Sequence, residues 1–207
     1  RAELLRELRL FNTWFVEGLL QYDLAGEESA QLEKLYASLV DSALDQPQVF
    51  VHRDYHSRNI MLLEDSSLGL IDFQDAVLGP VTYDLASILR DCYVHWPREK
   101  VEHWVAQYQA RLVEHGKISN VSKQQFLQWF DWMGLQRHIK VLGVFARLKL
   151  RDGKTAYMND LPLVLAYTLA VAKQYHQTSE LSAFVNWFES RLMPIVIKQA
   201  WYKDIKL

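Results

Sequence analysis

Only one of the 207 residues is a cysteine, Cys92. A disulfide framework is therefore excluded, and a reducing, cytoplasmic setting is the simplest expectation. Long apolar runs are missing as well. No stretch reaches the roughly 18 apolar residues of a spanning helix. The opening, RAELLRELRL, is amphipathic and lacks the charged start and apolar block of a secretion signal. Neither sign of charge is in excess: 23 Lys and Arg oppose 25 Asp and Glu, for a net charge of -2. Non-specific binding to nucleic acid or to a membrane surface is not expected from such a balance. Glycine is sparse, with eight in all and no glycine-rich run.

What is present suits a globular chain. Half the residues are apolar and 23% are charged, enough for one large domain or two small ones with a real core. Leu4, Leu8, Phe11, Phe15 and Leu19 have helical spacing. So do Leu32, Leu35, Leu39 and Ala43, with Pro47 as a stop. Three short β-like runs follow, QVFVH, IMLL and LGLIDF, and EDSSLG between the last two reads as a hairpin turn. Gly79-Pro80 then turns the chain, and Thr82 is a plausible N-cap for a helix to about residue 91. Further helices are expected after Pro97, after Ser122, over 135–150 beyond Gly134, and over 160–176 and 180–200. The plan is α+β, mostly α, with a few short strands inserted about a quarter of the way along.

Between the first two β-like runs lies a dense polar stretch. VFVHRDYHSRNIMLL, residues 49–63, holds His52, Asp54, His56, Ser57, Arg58 and Asn59 between apolar flanks. Buried, each would need a polar partner. On a loop carried by strands they form a candidate site. His52-x-Asp54-x4-Asn59 has the spacing of a kinase catalytic loop, and Asp72 follows thirteen residues after Asn59. Phosphoryl transfer asks a protein mainly to position groups and to neutralise charge. It needs an Asp to orient or accept the acceptor hydroxyl's proton. It also needs hard oxygen donors, such as an Asn amide and a second Asp, to hold Mg²⁺. A hairpin would bring Asn59 and Asp72 to the same end of adjacent strands. A zinc site built on His52, His56, Asp54 and Asp72 is disfavoured, because the single cysteine lies elsewhere and zinc prefers N and S ligands.

HRDYHSRNIML, LIDFQDAVLGPVTYDLASIL and their order resemble the aminoglycoside phosphotransferase and choline kinase superfamily, small-molecule relatives of the protein kinases. The resemblance implies the large C-terminal lobe of a protein-kinase-like fold spanning residues 1–207, using ATP and Mg²⁺. It makes Asp54 the catalytic base, Asn59 and Asp72 the metal ligands, and Asp84 a brace of the loop, with His52 a second structural residue. WMGLQRHIKVLGVFARLKLRDGK and ELRLFNTWFVEGLL resemble the kinases that phosphorylate the anomeric hydroxyl of N-acetylmuramate and N-acetylglucosamine in peptidoglycan recycling. The alternatives within enzymes are aminoglycoside, choline or homoserine-type kinases. Outside them stands a catalytically silent kinase-like binding module, disfavoured because Asp54, Asn59 and Asp72 are all present.

No A-P-E element follows Asp72, and only FQDAVLGPVTY separates it from Asp84, which leaves little room for a peptide-binding segment. The glycine-rich loop and strand lysine of a kinase would lie upstream. The expectation is that a nucleotide-binding N-terminal lobe is absent from this chain, that this lobe is the chain's own partner, and that the chain alone turns over little. His56, Ser57 and Arg58 are candidates for phosphate or acceptor contacts. Asp75 either lines the acceptor site or caps a turn. On a helical wheel Leu135, Ile139, Leu142, Ala146 and Leu150 form one stripe, with Gly143 a candidate kink between them, and Arg137, Lys140, Arg147 and Arg151 form another, which is either a cationic wall for an anionic acceptor or a solvated face. Trp96 and Trp129 are candidates to stack on a sugar ring.

Overall fold

Wherever apolar residues recur three and four apart, the chain is helical. The computed structural model describes residues 1–207. Its helices are α1 (Ala2–Leu10), α2 (Gly26–Leu44), α3 (Tyr83–Leu89), α4 (Arg98–Glu114), α5 (Lys123–Leu150), α6 (Leu161–Gln174), α7 (Ser179–Trp187) and α8 (Met193–Val196). Four short strands lie between α2 and α3: β1 (Gln48–Val51), β2 (Ile60–Leu62), β3 (Leu68–Leu70) and β4 (Val77–Pro80). The fold is thus mostly α with short antiparallel strands. Packing divides the chain into two units, one of residues 1–41 with 135–207, the other of residues 42–134.

In the first unit the expected stripes are buried. Leu32, Leu35 and Leu39 on α2, and Leu135, Ile139, Leu142 and Ala146 on α5, are all at most 1% exposed. Leu150 departs from its stripe and is exposed. After α1 the helix widens to π geometry over Phe11–Leu19. There the Leu20 N–H donates to the Phe15 carbonyl at 3.0 Å, five residues back. The wider turn rotates the apolar face, so that Phe11, Phe15, Val16 and Leu20 are all buried. Gly143 does not kink α5. A Cβ there would lie 2.4–2.6 Å from the backbone of Leu10 and Phe11, so glycine lets two helices touch. The Lys140 ammonium donates to buried Glu7 at 2.8 Å.

The second unit carries the strands. β1 pairs antiparallel with β4, Phe50 opposite Leu78, and β2 pairs with β3, Ile60 opposite Leu70. β4 is not expected from sequence, since Gly79 and Pro80 signal a turn. Pro80 sits at the end of the strand, opposite Gln48, where the missing N–H is tolerated. Thr82 precedes α3 but does not cap it. Its hydroxyl instead donates to the buried Gln46 side-chain oxygen at 2.6 Å. Ser122 does cap α5, accepting the Gln125 N–H at 3.1 Å. Arg98, opening α4, forms a two-pronged pair with buried Asp131 on α5 at 2.6 and 2.8 Å. Burial opposes the Arg98 charge, but the Asp131 and Glu102 carboxylates hold its pKa above the usual value.

Two stability outcomes follow from these contacts. Gly143→Ala should cost on the order of 3 kcal/mol, because the clash is with backbone and cannot be relieved by a rotamer. Arg98→Ala should cost about 3–5 kcal/mol by taking the two-pronged guanidinium from the buried Asp131 carboxylate. Thermal melts of the two variants check both. A melting temperature unchanged in either one contradicts the corresponding contact.

Candidate active site

The β1–β4 ladder sets two chain segments side by side. The loop leaving β1 begins at His52, and α3 begins just after β4. Asp84, in the first turn of α3, accepts the His52 N–H at 2.7 Å and the Arg53 N–H at 3.1 Å. The half-buried Tyr108 phenol is raised above its ordinary pKa, by burial first and then by the Asp84 charge. Arg53 has φ +74°, in the left-handed region that costs most side chains about 1–2 kcal/mol. The two hydrogen bonds to Asp84 offset that cost and turn the chain sharply into Asp54. His52 contributes through its backbone. Its buried imidazole nitrogens have no hydrogen-bond partner, and its ring meets Tyr55 edge-on at 6.0 Å.

Beyond Asp54 the loop folds back on itself. The Asp54 carbonyl accepts both the His56 N–H and the Asn59 side-chain amide at 3.0 Å. Ser57–Asn59 form a 3-10 turn leading into β2. β3 returns antiparallel, and the Ile71 N–H donates to the Asn59 carbonyl at 3.2 Å. This sets Asp72 beside Asn59, whose Nδ2 lies 3.5 Å from the Asp72 Oδ2. Asp72 has φ +68°, which Asp tolerates better than most residues. Its other oxygen accepts from the Gln74 amide.

Both hydrogen bonds of the Asn59 side chain are donated by Nδ2, which leaves Oδ1 for an outside ligand. Asn59 Oδ1 and the exposed Asp72 carboxylate are hard oxygen donors of the kind Mg²⁺ takes. No three His, Cys, Asp or Glu side chains converge anywhere in the chain. A metal here would therefore draw two ligands from the protein and the rest from phosphate and water. That suits magnesium and not zinc.

Sequence reasoning missed Asp91. It lies just past α3, is 1% exposed, and accepts the Ser57 N–H at 2.9 Å and the Tyr93 N–H at 3.1 Å. The Arg58 guanidinium covers the Tyr93 ring at 3.4 Å, and His56 meets that ring edge-on at 5.6 Å. Asp84 clasps the start of the loop and Asp91 its end. A signal was present: an acid at a helix C-terminus opposes the helix dipole. Asp91 also falls seven residues after Asp84, two turns along the same face.

The remaining candidates fall elsewhere. Asp75 is exposed, in the turn between Asp72 and β4. Trp129 is buried against Phe126 and cannot present a face to a sugar. Arg137 and Arg147 are half-buried on the part of α5 that belongs to the other unit. Their expected stripe is not a continuous free cationic wall, because Lys140 pairs with Glu7 and Arg151 with Asp152.

Removing either clasp should loosen the loop. Asp84→Ala and Asp91→Ala should each cost about 3 kcal/mol, since each removes two hydrogen bonds to a charged acceptor. Hydrogen exchange should rise over residues 52–54 in the first variant and over 57–59 in the second. Unaltered exchange in the matching segment contradicts the clasp.

Residues 1–118 match the phosphotransferase enzyme family known as APH. The chain is 40% identical over 185 residues to an N-acetylmuramate/N-acetylglucosamine kinase of Neisseria meningitidis, covering 89% of this chain and 55% of that protein. It is 42% identical over 180 residues to one of the same name from Pseudomonas aeruginosa, covering 87% of this chain and 53% of that protein. The chain thus spans about half the length of the curated relatives it matches. Among solved structures its fold is similar to Plasmodium vivax ethanolamine kinase, with a TM-score of 0.54 at 14% identity over 81% of this chain and 47% of that one. By the extent of the family match, and by the loop geometry that accompanies it, the chain belongs to the APH phosphotransferase enzyme family.

Proposed function

We propose that this chain is the C-terminal lobe of an ATP- and Mg²⁺-dependent kinase acting on the anomeric hydroxyl of an amino sugar, N-acetylmuramate or N-acetylglucosamine. The observation that carries the reading is that the Asn59 side chain meets both the Asp54 carbonyl and the Asp72 carboxylate, tying the loop to the hairpin. The relatives of that name, at 40 and 42% identity, support the choice of sugar. Asp54 orients the acceptor hydroxyl and takes its proton as the oxygen bonds to the γ-phosphorus and ADP departs. Asn59 and Asp72 would hold Mg²⁺, which when bound neutralises phosphate charge.

The strands support a second lobe over this one. Phe50 is 70% exposed, Leu62 75%, Leu68 65%, Phe73 64% and Leu78 77%. So many open apolar side chains on one short stretch mark a surface meant to be covered. We assign that role to a nucleotide-binding N-terminal lobe, the partner that a kinase of this type needs. The chain alone then turns over little. A cytoplasmic setting agrees with a single cysteine, Cys92, in the chain and with a nucleotide substrate.

The test uses the intact protein with ATP, Mg²⁺ and, in turn, N-acetylmuramate, N-acetylglucosamine, an aminoglycoside and choline. The amino sugars should turn over, and Asp54→Asn should lower kcat by roughly 10²–10⁴-fold. Turnover with only a cationic acceptor overturns the sugar assignment. Full-rate turnover by residues 1–207 alone overturns the two-lobe reading.

A further inference from the structure

A cavity of about 270 Å³ opens beside the catalytic loop, between it, the end of α3 and the start of α4. Ser57, Ile88, Leu89, Val94, Trp96 and Trp104 line it, with the backbone-bound Asp91 carboxylate at its base. Three features define what it holds. Its size is just below the roughly 300–1,000 Å³ of pockets for drug-sized ligands, which suits part or all of one sugar ring and not a multi-ring antibiotic. Its walls are almost wholly apolar. The one acid it touches is 1% exposed, with both oxygens already accepting N–H groups. A cationic acceptor such as an aminoglycoside or choline finds no open counter-charge there.

Trp96 stands on the irregular segment before α4 and is 36% exposed, so part of its ring faces solvent. Trp104 meets it at 5.4 Å and 88°, an edge-to-face contact that fixes its orientation. An indole face is electron-rich and attracts the faintly positive hydrogens of C–H groups. The hydroxyls of a sugar gain nothing from apolar walls, whereas the methyl of an N-acyl group does. Ser57, three residues beyond Asp54, ties the cavity to the loop that carries the base.

We propose that this cavity is the site that selects the acceptor, seating the N-acyl group of a 2-acylamino sugar with its methyl between Trp96 and the side chains of Leu89 and Val94. The proposal rests on the amino-sugar reading of the active site and adds what does the choosing: apolar contact, not an ion pair.

Saturation-transfer NMR of N-acetylglucosamine with the intact protein tests it without requiring turnover. The acetyl methyl should receive the strongest saturation, and Trp96→Ala should abolish that preference. In the kinase assay, Trp96→Ala and the cavity-filling Val94→Phe should each raise KM for the sugar by roughly ten- to hundredfold. The loss should fall on KM more than on kcat. A methyl saturated no more than the ring protons, or a KM within twofold of wild type in both variants, overturns the proposal. Wild-type turnover by Asp54→Asn would instead overturn the active-site reading, and the NMR result would still judge the cavity.

Discussion

The site depends on one carboxylate. Asp84 accepts two backbone N–H groups from consecutive residues, His52 and Arg53, at 2.7 and 3.1 Å. Consecutive amides converge on one acceptor only if the backbone between them turns sharply, and Arg53 does so by taking a left-handed conformation that its side chain disfavours. Local preference would straighten this link, so the bond must come from outside the loop. It comes from α3: the ladder leaves residue 81 beside residue 47, at the start of β1, and the first turn of α3 then reaches back along β1 to His52 and Arg53. A four-residue ladder with little core of its own thereby fixes where Asp54 stands.

The legible parts of the chain were those in which a local pattern and its tertiary outcome agree. Leu135, Ile139, Leu142 and Ala146 have helical spacing, and the same spacing buries them. The β2–β3 hairpin follows from two apolar runs around a polar turn, and Asn59 and Asp72 come together because a hairpin joins its strand ends. What was not legible depended on partners distant in sequence. β4 contains Gly79 and Pro80, which signal a turn until β1 supplies a pairing edge. Thr82 has the residue type of a cap, but a buried Gln46 side chain claims its hydroxyl. Gly143 looked like a kink and is a contact, because the space a Cβ would need is occupied by Leu10 and Phe11. Lys140 looked solvated until Glu7, more than a hundred residues earlier, took it. Each miss is a tertiary partner overriding a local preference.

Four aspartates stand at this site, and residue type alone does not separate their tasks. Their surroundings do. Asp91 is 1% exposed and spends both oxygens on backbone N–H groups, while Asp84 does the same at the other end of the loop. A carboxylate so engaged is poorly available to bind a metal or a substrate hydroxyl. Asp54 is only half-buried, and Asp72 is exposed, with one oxygen meeting Gln74 and the other a long contact to Asn59. Those two remain open to water, and so to an incoming hydroxyl or cation. The protected acids thus hold the shape of the loop, and the accessible ones are left open to solvent. The same partition explains why the cavity beside Asp91 is apolar: its one acid is already bound to the loop that it holds.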